Sequence, residues 1–455
     1  MPIAQTYSVD TLIDARWIIP VEPPHQTLPQ HSVAITGGQI TAILPTPEAH
    51  ARFTAKNHYQ LKDHALIPGL INLHTHAAMT LLRGLADDLP LMEWLKGHIW
   101  PAEFSHVSTE FVHDGTLLAC AEMLKGGVTC FNDMYFFPEA AAEAALESRM
   151  RAAIGLITID FPTTYASDAD DYLNKGLAMR DRYRGESLLS FCMAPHAPYT
   201  NSDQTLSKVL TYAEQLDLPI HIHLHETLDE IQQSLNQHRQ RPIQRLHNIG
   251  LLGPNLLAVH AVHVTTEELA LLAKQGCHVA HCPTSNLKLA SGIAPVAEML
   301  EQGINVGIGT DGAASNNRLD MFAEMRLAAL LAKGISGKAD ILPAHQALQI
   351  ATLNAAKALG IDAITGSLKP GKAADITAVD LSALGTSPCY DAASHLVYAA
   401  GREQVSHVWV NGELLLNEGK LVALDSQELK AKAAYWQGRI NQEKTVNHGD
   451  TEAQG

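Results

Sequence analysis

The sequence predicts an α/β protein, in which a closed parallel (β/α)8 (TIM) barrel carries a small β domain built from both ends of the chain. Three observations predict this architecture. Eight short apolar runs alternate with helical patterns through the middle of the chain, both ends hold short strand-like pieces separated by turn residues, and 46% of the 455 residues are hydrophobic, which suffices for a large core. An open doubly wound sheet is the alternative, but the Gly-rich turn that usually follows its first strand is not found here.

The eight predicted barrel strands are short apolar runs rich in β-forming residues. They lie at residues 65–73, 127–133, 151–159, 188–194, 219–224, 256–261, 278–282 and 305–310. The segments between them include amphipathic helical patterns at residues 108–125 and 265–274. Eight strand–helix units over roughly 240 to 300 residues are what a closed barrel needs.

Both ends of the chain are predicted to contribute strands to the β domain. The strand-like pieces lie at residues 11–19, 32–36, 39–44, 375–379, 405–410 and 413–416, and Asn411-Gly412 between two apolar runs is a strong hairpin signal. The predicted domains are therefore residues 1–66 and 367–425 for the β domain and 67–366 for the barrel. Residues 426–442 are predicted to form a terminal helix, and residues 443–455 a polar, mobile tail.

Charge and composition argue against several classes of partner and location. With 32 Lys+Arg against 48 Asp+Glu, the net charge of −16 argues against nucleic acid or an anionic membrane as the main partner. The sequence shows no signal-peptide pattern and no apolar run long enough to span a membrane, so we expect a cytoplasmic protein. The six cysteines form no CxxC pair and are expected to be reduced thiols, which leaves the 24 histidines to be explained.

Two of these histidines, His74 and His76, end the first predicted barrel strand. Their HxH spacing puts both imidazoles on the same face of the strand, because side chains alternate with a period of two. At the C-terminal end of a barrel strand, that face looks into the mouth of the barrel. The pair could clamp a metal ion of borderline softness. Two histidines that only pack or hydrogen-bond are the alternative.

Further ligand-type side chains fall at the ends of the fifth, sixth and eighth predicted strands. They are His221, His223, His225, Glu226, His260 and Asp311. Strand ends converge in a barrel, and independent structural histidines have no reason to follow that order. Imidazoles and one carboxylate without thiolates suit zinc or iron better than calcium or magnesium. The fourth strand offers no lysine to bridge two ions, which favours a mononuclear site.

Together these motifs resemble those of the amidohydrolase superfamily, with a resemblance that extends over residues 9–425. Residues 366–375 (GSLKPGKAAD) are similar to the segment that leads from the barrel of that superfamily back to its composite β-sandwich. Within the superfamily, the sequence looks most like the branch that deaminates 5′-methylthioadenosine and S-adenosylhomocysteine. The similar segments are residues 76–95, 100–103, 195–199, 281–289 and 292–295.

The resemblance implies a role for each of ten residues. The implied metal ligands are His74, His76, His223 and Asp311; Glu226, His260 and Asp311 would be catalytic; and Trp94, Glu103, His196, Glu226 and Ser315 would contact the substrate. It also implies one Zn²⁺ per subunit, with iron as the alternative, a small nucleoside substrate and self-association into a homo-oligomer. For Trp94 the alternative is a core aromatic, and for Glu103 a solvated carboxylate. His221, His225 and His263 are interpreted as supporting histidines.

The implied reaction is hydrolytic deamination of an adenine ring. Zinc lowers the pKa of water, Glu226 would protonate ring N1, Asp311 would take the water proton, and His260 would hold the attacking oxygen. Residues 157–179 contain no arginine, where some relatives bind the carboxylate of S-adenosylhomocysteine, and this favours methylthioadenosine. One alternative is a guanine or triazine aminohydrolase, which would not need Glu103. The other is a non-catalytic assembly protein, which would be expected to have lost ligands.

Overall fold

The computed structural model describes residues 6–452, with only the backbone over 443–452, and is organised around two eight-stranded sheets. The strands are β1 (Tyr7–Ile18), β2 (Leu28–Thr36), β3 (Gln39–Pro45), β4 (Phe53–Pro68), β5 (Leu70–Thr75), β6 (Val128–Asp133), β7 (Arg151–Thr158), β8 (Leu189–Pro195), β9 (Ile220–Leu224), β10 (Leu256–His260), β11 (His278–His281), β12 (Asn305–Ile308), β13 (Ile376–Asp380), β14 (Val405–Val410), β15 (Glu413–Asn417) and β16 (Lys420–Leu421).

Helices fill the connections between barrel strands and extend both domains. They are α1 (Thr46–Arg52), α2 (Leu91–Trp94), α3 (Trp100–His106), α4 (Thr109–Lys125), α5 (Pro138–Ser148), α6 (Ala169–Tyr183), α7 (Asp203–Leu216), α8 (Leu228–His238), α9 (Pro242–Ile249), α10 (Thr266–Gln275), α11 (Pro283–Lys288), α12 (Val296–Glu301), α13 (Ala313–Asn316), α14 (Met321–Ser336), α15 (Ala344–Ile350), α16 (Leu353–Ala358), α17 (Ala392–Tyr398) and α18 (Ser426–Glu452). Within the described residues, none of these helices has the length and apolar character needed to cross a membrane.

Strands β5 to β12 form the parallel barrel, in the same order in space as in the chain. Polar contacts join the first strand to the segment that follows the last. Asn72 Nδ2 donates to Thr310 Oγ1 at 2.8 Å, and the Asp311 backbone N–H donates to the carbonyl of His74 at 2.9 Å. The predicted barrel is therefore confirmed, and each of its eight strands overlaps a predicted run.

The second sheet is built from both ends of the chain, in the order β16-β15-β14-β13-β4-β1-β2-β3. Strand β4 lies near its centre, parallel to β1 and antiparallel to β13. The sheet folds over a core that includes Ile13, Val33 and Trp409. A Cβ atom on Gly412 would lie 2.8 Å from the Cα of Gly38, so the turn between β14 and β15 meets the turn between β2 and β3. The expected composite β domain is confirmed.

Two strands, rather than the single predicted one, meet at the junction of the sheets. Residues 65–73 were expected to form a single barrel strand, whereas residues 65–68 end β4 and residues 70–75 form β5. Gly69 separates them, and a Cβ atom there would lie 2.0 Å from Thr129 Oγ1. Only glycine therefore fits where the chain passes from one sheet into the other.

A buried ion pair joins the barrel to the second sheet. Arg151, at the start of β7, places Nε 3.0 Å from Asp375 Oδ2, and its Nη1 donates to the carbonyl of Ser187 at 3.1 Å. Asp375 Oδ1 also accepts the backbone N–H of Asn411 at 2.7 Å. The side chains of Arg151 and Asp375 are only 5% and 0% exposed, so each charge depends on the other.

The terminal helix is longer than predicted. It begins at Ser426 as expected and ends at Glu452 rather than at residue 442, while residues 453–455 of the predicted tail lie outside the described part. No proline interrupts this stretch, and extending a helix costs far less than starting one. The helix packs on α4, where Trp436 Nε1 donates to Asp114 Oδ2 at 3.0 Å.

Candidate active site

The predicted ligand residues meet at the C-terminal mouth of the barrel. His74 lies near the end of β5 and His76 just beyond it, His223 lies in β9, His260 ends β10, and Asp311 follows β12. His260 and Asp311 have positive φ angles of 73° and 61°. Such left-handed backbone is costly for residues with a Cβ and concentrates at functional sites, where the surrounding structure holds it in place.

The potential ligand atoms of these residues converge closely enough to hold one ion. Those of His74, His76 and His223 all lie within 4.8 Å of one another, and His74, His260 and Asp311 form a second such group. Asp311 Oδ1 lies 3.3 Å from Nε2 of His74 and also 3.3 Å from Nε2 of His76. Three imidazoles and one carboxylate therefore point towards a common centre.

Outer hydrogen bonds orient the three imidazoles of His74, His76 and His223 through their Nδ1 atoms. Their partners, in that order, are Nε2 of His221 at 2.9 Å, the carbonyl of Met134 at 2.6 Å and the carbonyl of His196 at 2.8 Å. Because a carbonyl only accepts, Nδ1 carries the proton in His76 and His223, and the Nε2 lone pair of the neutral ring faces the centre. The buried Nε2 of His74 makes no hydrogen bond.

Burial and charge favour the protonation states that a cation needs. Burial lowers the pKa of His74 to about 4 and holds the pKa of His223 well below its ordinary value. Burial alone would raise the pKa of Asp311, but its interaction with His74, whose Nε2 lies 3.3 Å from Oδ1, holds that pKa well below the usual range. The centre therefore presents neutral imidazoles and an ionised carboxylate, which are the ligand forms that bind a metal.

Two serines and a backbone amide hold the Asp311 carboxylate. Ser285 Oγ donates to Oδ2 at 2.6 Å and Ser315 Oγ to the same oxygen at 3.0 Å, while the Gly312 N–H donates to Oδ1 at 2.8 Å. Ser315, predicted to touch the substrate, lines the cleft and also supports this carboxylate. Ser285 was not singled out from the sequence, although it lies within the 281–289 segment that carries the resemblance.

Glu226 and His260 lie side by side next to the centre. His260 Nε2 is 3.7 Å from Glu226 Oε2, and its Nδ1 is 2.8 Å from Asn286 Oδ1. Burial raises the pKa of Glu226, which favours a carboxyl group that keeps its proton. Ser291 Oγ donates to Glu226 Oε1 at 3.4 Å. The arrangement can move a proton at Glu226 and hold an oxygen at His260.

A second glutamate, missed in the sequence, fixes the backbone around Glu226. The carboxylate of Glu230 accepts the backbone N–H of His225 at 3.1 Å and that of Glu226 at 2.9 Å. Thr227 caps α8 through the Glu230 N–H. A Thr-x-x-Glu spacing at the start of a helix is the sequence signature of a capping box, and it could have identified Glu230.

A cleft of about 240 Å³ connects this centre to the surface. Trp94, Glu103, His196 and Ser315, all predicted to contact the substrate, line it. Glu103, in α3, accepts a hydrogen bond from Tyr135 Oη at 2.7 Å, and burial raises its pKa to about 7. Glu103 is therefore a buried carboxylate rather than a solvated one. Tyr135 was missed, although it follows the end of β6 by two residues.

The outer wall of the cleft is apolar. Its side chains include Leu91, Leu95, Trp100, Phe104, Phe136, Ile157, Ile159 and Phe161. Among the described residues that line the cleft, none is a lysine or an arginine. The wall can therefore pack an uncharged substituent but offers no cation to a carboxylate.

The remaining histidines of the fifth strand have structural contacts. His221 orients His74, as described above. His225 lies against the backbone instead, with Nδ1 3.1 Å from the carbonyl of His263 and Nε2 accepting the N–H of Ile243 at 3.1 Å. These contacts fit the supporting roles expected for His221 and His225.

Comparison with known proteins agrees with this geometry. Residues 65–415 match the amidohydrolase family. The chain is 48% identical to a 5-methylthioadenosine/S-adenosylhomocysteine deaminase of Saccharophagus degradans over 435 residues, which are 96% of this chain and 98% of that protein. It is 42% identical to a 5′-deoxyadenosine deaminase of Methanosarcina barkeri over 429 residues, covering 93% of this chain and 96% of that protein.

A solved structure extends the similarity to three dimensions. A zinc-bound adenosine deaminase from Xanthomonas campestris superposes with a TM-score of 0.95 at 47% identity, covering 96% of this chain and 100% of that one. The barrel, the composite β domain and the histidine-rich centre at the barrel mouth agree with these similarities. The chain belongs to the amidohydrolase family.

Proposed function

We propose that this protein is a zinc-dependent hydrolytic deaminase of adenine nucleosides, and that 5′-methylthioadenosine is its preferred substrate. The observation that carries the proposal is one cleft that joins three kinds of group: the metal-ligand set, the buried Glu103–Tyr135 pair and an apolar outer wall. Relatives named for deamination of methylthioadenosine, S-adenosylhomocysteine and 5′-deoxyadenosine support it. The products would be the inosine analogue and ammonia.

The metal would be held by His74, His76, His223 and Asp311. Nε2 of His74 is buried and makes no hydrogen bond, and the lone pairs of the other two rings face inward. A bound cation would satisfy these atoms, which otherwise lack a partner at the centre. A donor set of nitrogens and oxygen without sulfur suits zinc, which the similar Xanthomonas campestris structure contains. When bound, the ion would supply Lewis acidity that lowers the pKa of water towards neutrality.

Side chains of the protein would carry out the proton transfers. Water adds its oxygen to C6 of the adenine ring as its proton passes to Asp311 Oδ1, and Glu226 gives its own proton to ring N1. His260 Nδ1 contacts Asn286, and the opposite nitrogen, Nε2, would hold the added oxygen by donating a hydrogen bond to it. The proton on Asp311 then goes to the amine, the C6–N bond breaks and ammonia leaves. The remaining hydroxyl proton returns to Glu226.

Binding of the nucleoside would use the other side of the cleft. Glu103 would accept both ribose hydroxyls, since Tyr135 occupies only one of its acceptor positions. The apolar wall, including Trp94, would pack a 5′-methylthio group. The zwitterionic tail of S-adenosylhomocysteine would find no lysine or arginine among the described lining residues, so we propose that it reacts less efficiently.

The test is ammonia release by the zinc-loaded protein with methylthioadenosine, S-adenosylhomocysteine, adenosine and guanine. We expect the highest kcat/KM with methylthioadenosine and a lower value with S-adenosylhomocysteine. A guanine or triazine aminohydrolase would have no use for Glu103 beside a ribose. Release of ammonia from guanine alone would therefore overturn the proposal.

A further inference from the structure

A second group of metal-binding side chains lies on the sheet built from the chain ends, outside the cleft. We propose that Asp14, His50 and His58 bind a second divalent transition-metal ion, of the class of Zn²⁺, Ni²⁺ or Cu²⁺. The proposal does not depend on the deaminase activity. It rests on the positions of these three side chains.

The three residues come from different elements that folding brings together. Asp14 lies on β1, His58 on the neighbouring parallel strand β4, and His50 in α1, which leads into β4. Nε2 of His50 is 2.9 Å from Asp14 Oδ2, and Nε2 of His58 is 2.7 Å from the same oxygen. All three potential ligand atoms lie within 4.8 Å of one another.

The two imidazoles repeat the arrangement of the HxH pair in the active site. The ring centres of His50 and His58 are 5.1 Å apart, with an angle of 86° between the ring planes. The corresponding values for His74 and His76 are 4.8 Å and 86°. In both pairs the two Nε2 atoms point at one oxygen of a single carboxylate.

The carboxylate is also held in the same way at the two places. Ser32 Oγ donates to the other oxygen of Asp14 at 2.6 Å, as Ser285 Oγ does to Asp311 at 2.6 Å. Ser32 is 1% exposed, and its hydroxyl also lies 3.0 Å from Thr46 Oγ1. Asp14 therefore turns a fixed oxygen towards the two imidazoles, which lowers the entropy cost of binding an ion.

The ligand set defines the kind of ion and the kind of binding. Two imidazoles and one carboxylate suit transition metals better than calcium or magnesium. Side-chain exposures of 42% for His50 and 35% for His58 leave room for water to complete the coordination. With one protein ligand fewer than the active site, this site would bind its ion more weakly, and the ion would link β1, α1 and β4.

The competing interpretation is two ordinary histidine–aspartate hydrogen bonds, and a zinc-binding measurement separates it from ours. Equilibrium dialysis of the full chain against increasing free Zn²⁺ gives the number of ions bound. We expect His50→Gln and His58→Gln each to bind one equivalent fewer than the unmodified protein. His31→Gln is the matched control, since His31 lies on the adjacent strand β2 and bonds to the carbonyl of Pro29.

The result is a difference between variants, so it does not depend on how many ions the active site holds. Both variants should release ammonia from methylthioadenosine at the unmodified rate, which shows that they are folded. If His50→Gln and His58→Gln bind as many ions as the His31→Gln control, the inference is wrong. A loss of one ion in all three variants would also refute it, because binding would then not be specific to this group.

Discussion

Replacing Glu103 by glutamine separates recognition of the ribose from the chemistry at the adenine ring. Glu103 is 9% exposed, and its Oε1 accepts a hydrogen bond from Tyr135. Glutamine keeps the size of the side chain but exchanges one acceptor oxygen for a donor and removes the charge. A hydrogen bond to a charged group contributes about 1.5–3 kcal/mol, and a neutral one about 0.5–1.5 kcal/mol.

The expected loss follows from these values. One charged hydrogen bond to a ribose hydroxyl disappears, which costs about 1.5–3 kcal/mol, and the other becomes neutral, which costs about 1–1.5 kcal/mol, so the total is about 2.5–4.5 kcal/mol. At about 1.4 kcal/mol for each factor of ten, kcat/KM should fall about 60- to 1,600-fold. Metal binding should be unchanged, because Glu103 does not belong to the ligand set.

The assay compares ammonia release from adenosine and from 2′,3′-dideoxyadenosine. The unmodified protein should prefer adenosine, and Glu103→Gln should lose most of that preference, since the dideoxy substrate has no hydroxyl to bind. Tyr135→Phe serves as a control that keeps the carboxylate and removes only the hydrogen bond to it. An equal loss of kcat/KM with both substrates would refute the ribose-binding role of Glu103.

Four further predictions concern pH, catalysis and stability. Because Glu103 has a pKa of about 7 and accepts hydrogen bonds from hydroxyls best when ionised, kcat/KM for adenosine should rise with pH through about 7. Glu103→Gln should remove this rise; if the variant keeps the same pH profile, ionisation of Glu103 is not the cause of the rise. Glu226→Gln should keep its metal, measured by elemental analysis, but lose most of its turnover; near-normal activity would rule out the proton-transfer role. Glu230→Gln should lower kcat more than it raises KM, because Glu230 orients the backbone of Glu226 rather than the substrate; a change in KM alone would argue against this. Arg151→Leu should lower the free energy of unfolding by about 3–5 kcal/mol in urea denaturation, because it leaves Asp375 buried and unpaired; a loss below about 1 kcal/mol would contradict that reasoning.

The barrel and its centre were predictable because both leave local patterns in the sequence. Buried parallel strands read as short apolar runs, and the side chains that follow them point into one mouth. His74, His223 and Asp311 could therefore be assigned to neighbouring positions without any knowledge of distances. Their convergence agrees with that reasoning.

Features that depend on contacts distant in sequence were harder to predict. Strand β4 is 16 residues long, and most of its first twelve residues are polar or exposed, so only its last four residues form an apolar run. The break at Gly69 depends on the approach of Thr129, and the role of Tyr135 on its contact with Glu103. Such partners are set by how elements pack, which periodicity along the chain does not report.

The sheet built from both chain ends has a consequence for the order in which the protein folds. Strand β4 can pair with β1 early in synthesis. Its other edge stays unpaired until β13 is synthesised, and β13 begins only at Ile376, after the whole barrel. Closing so long a loop is slow, and until it closes the free edge can pair with another chain. A chain that stops before Ile376 would thus keep every proposed metal ligand and yet leave one edge of β4 unpaired and prone to aggregation. Completion of this sheet therefore distinguishes finished molecules from truncated ones.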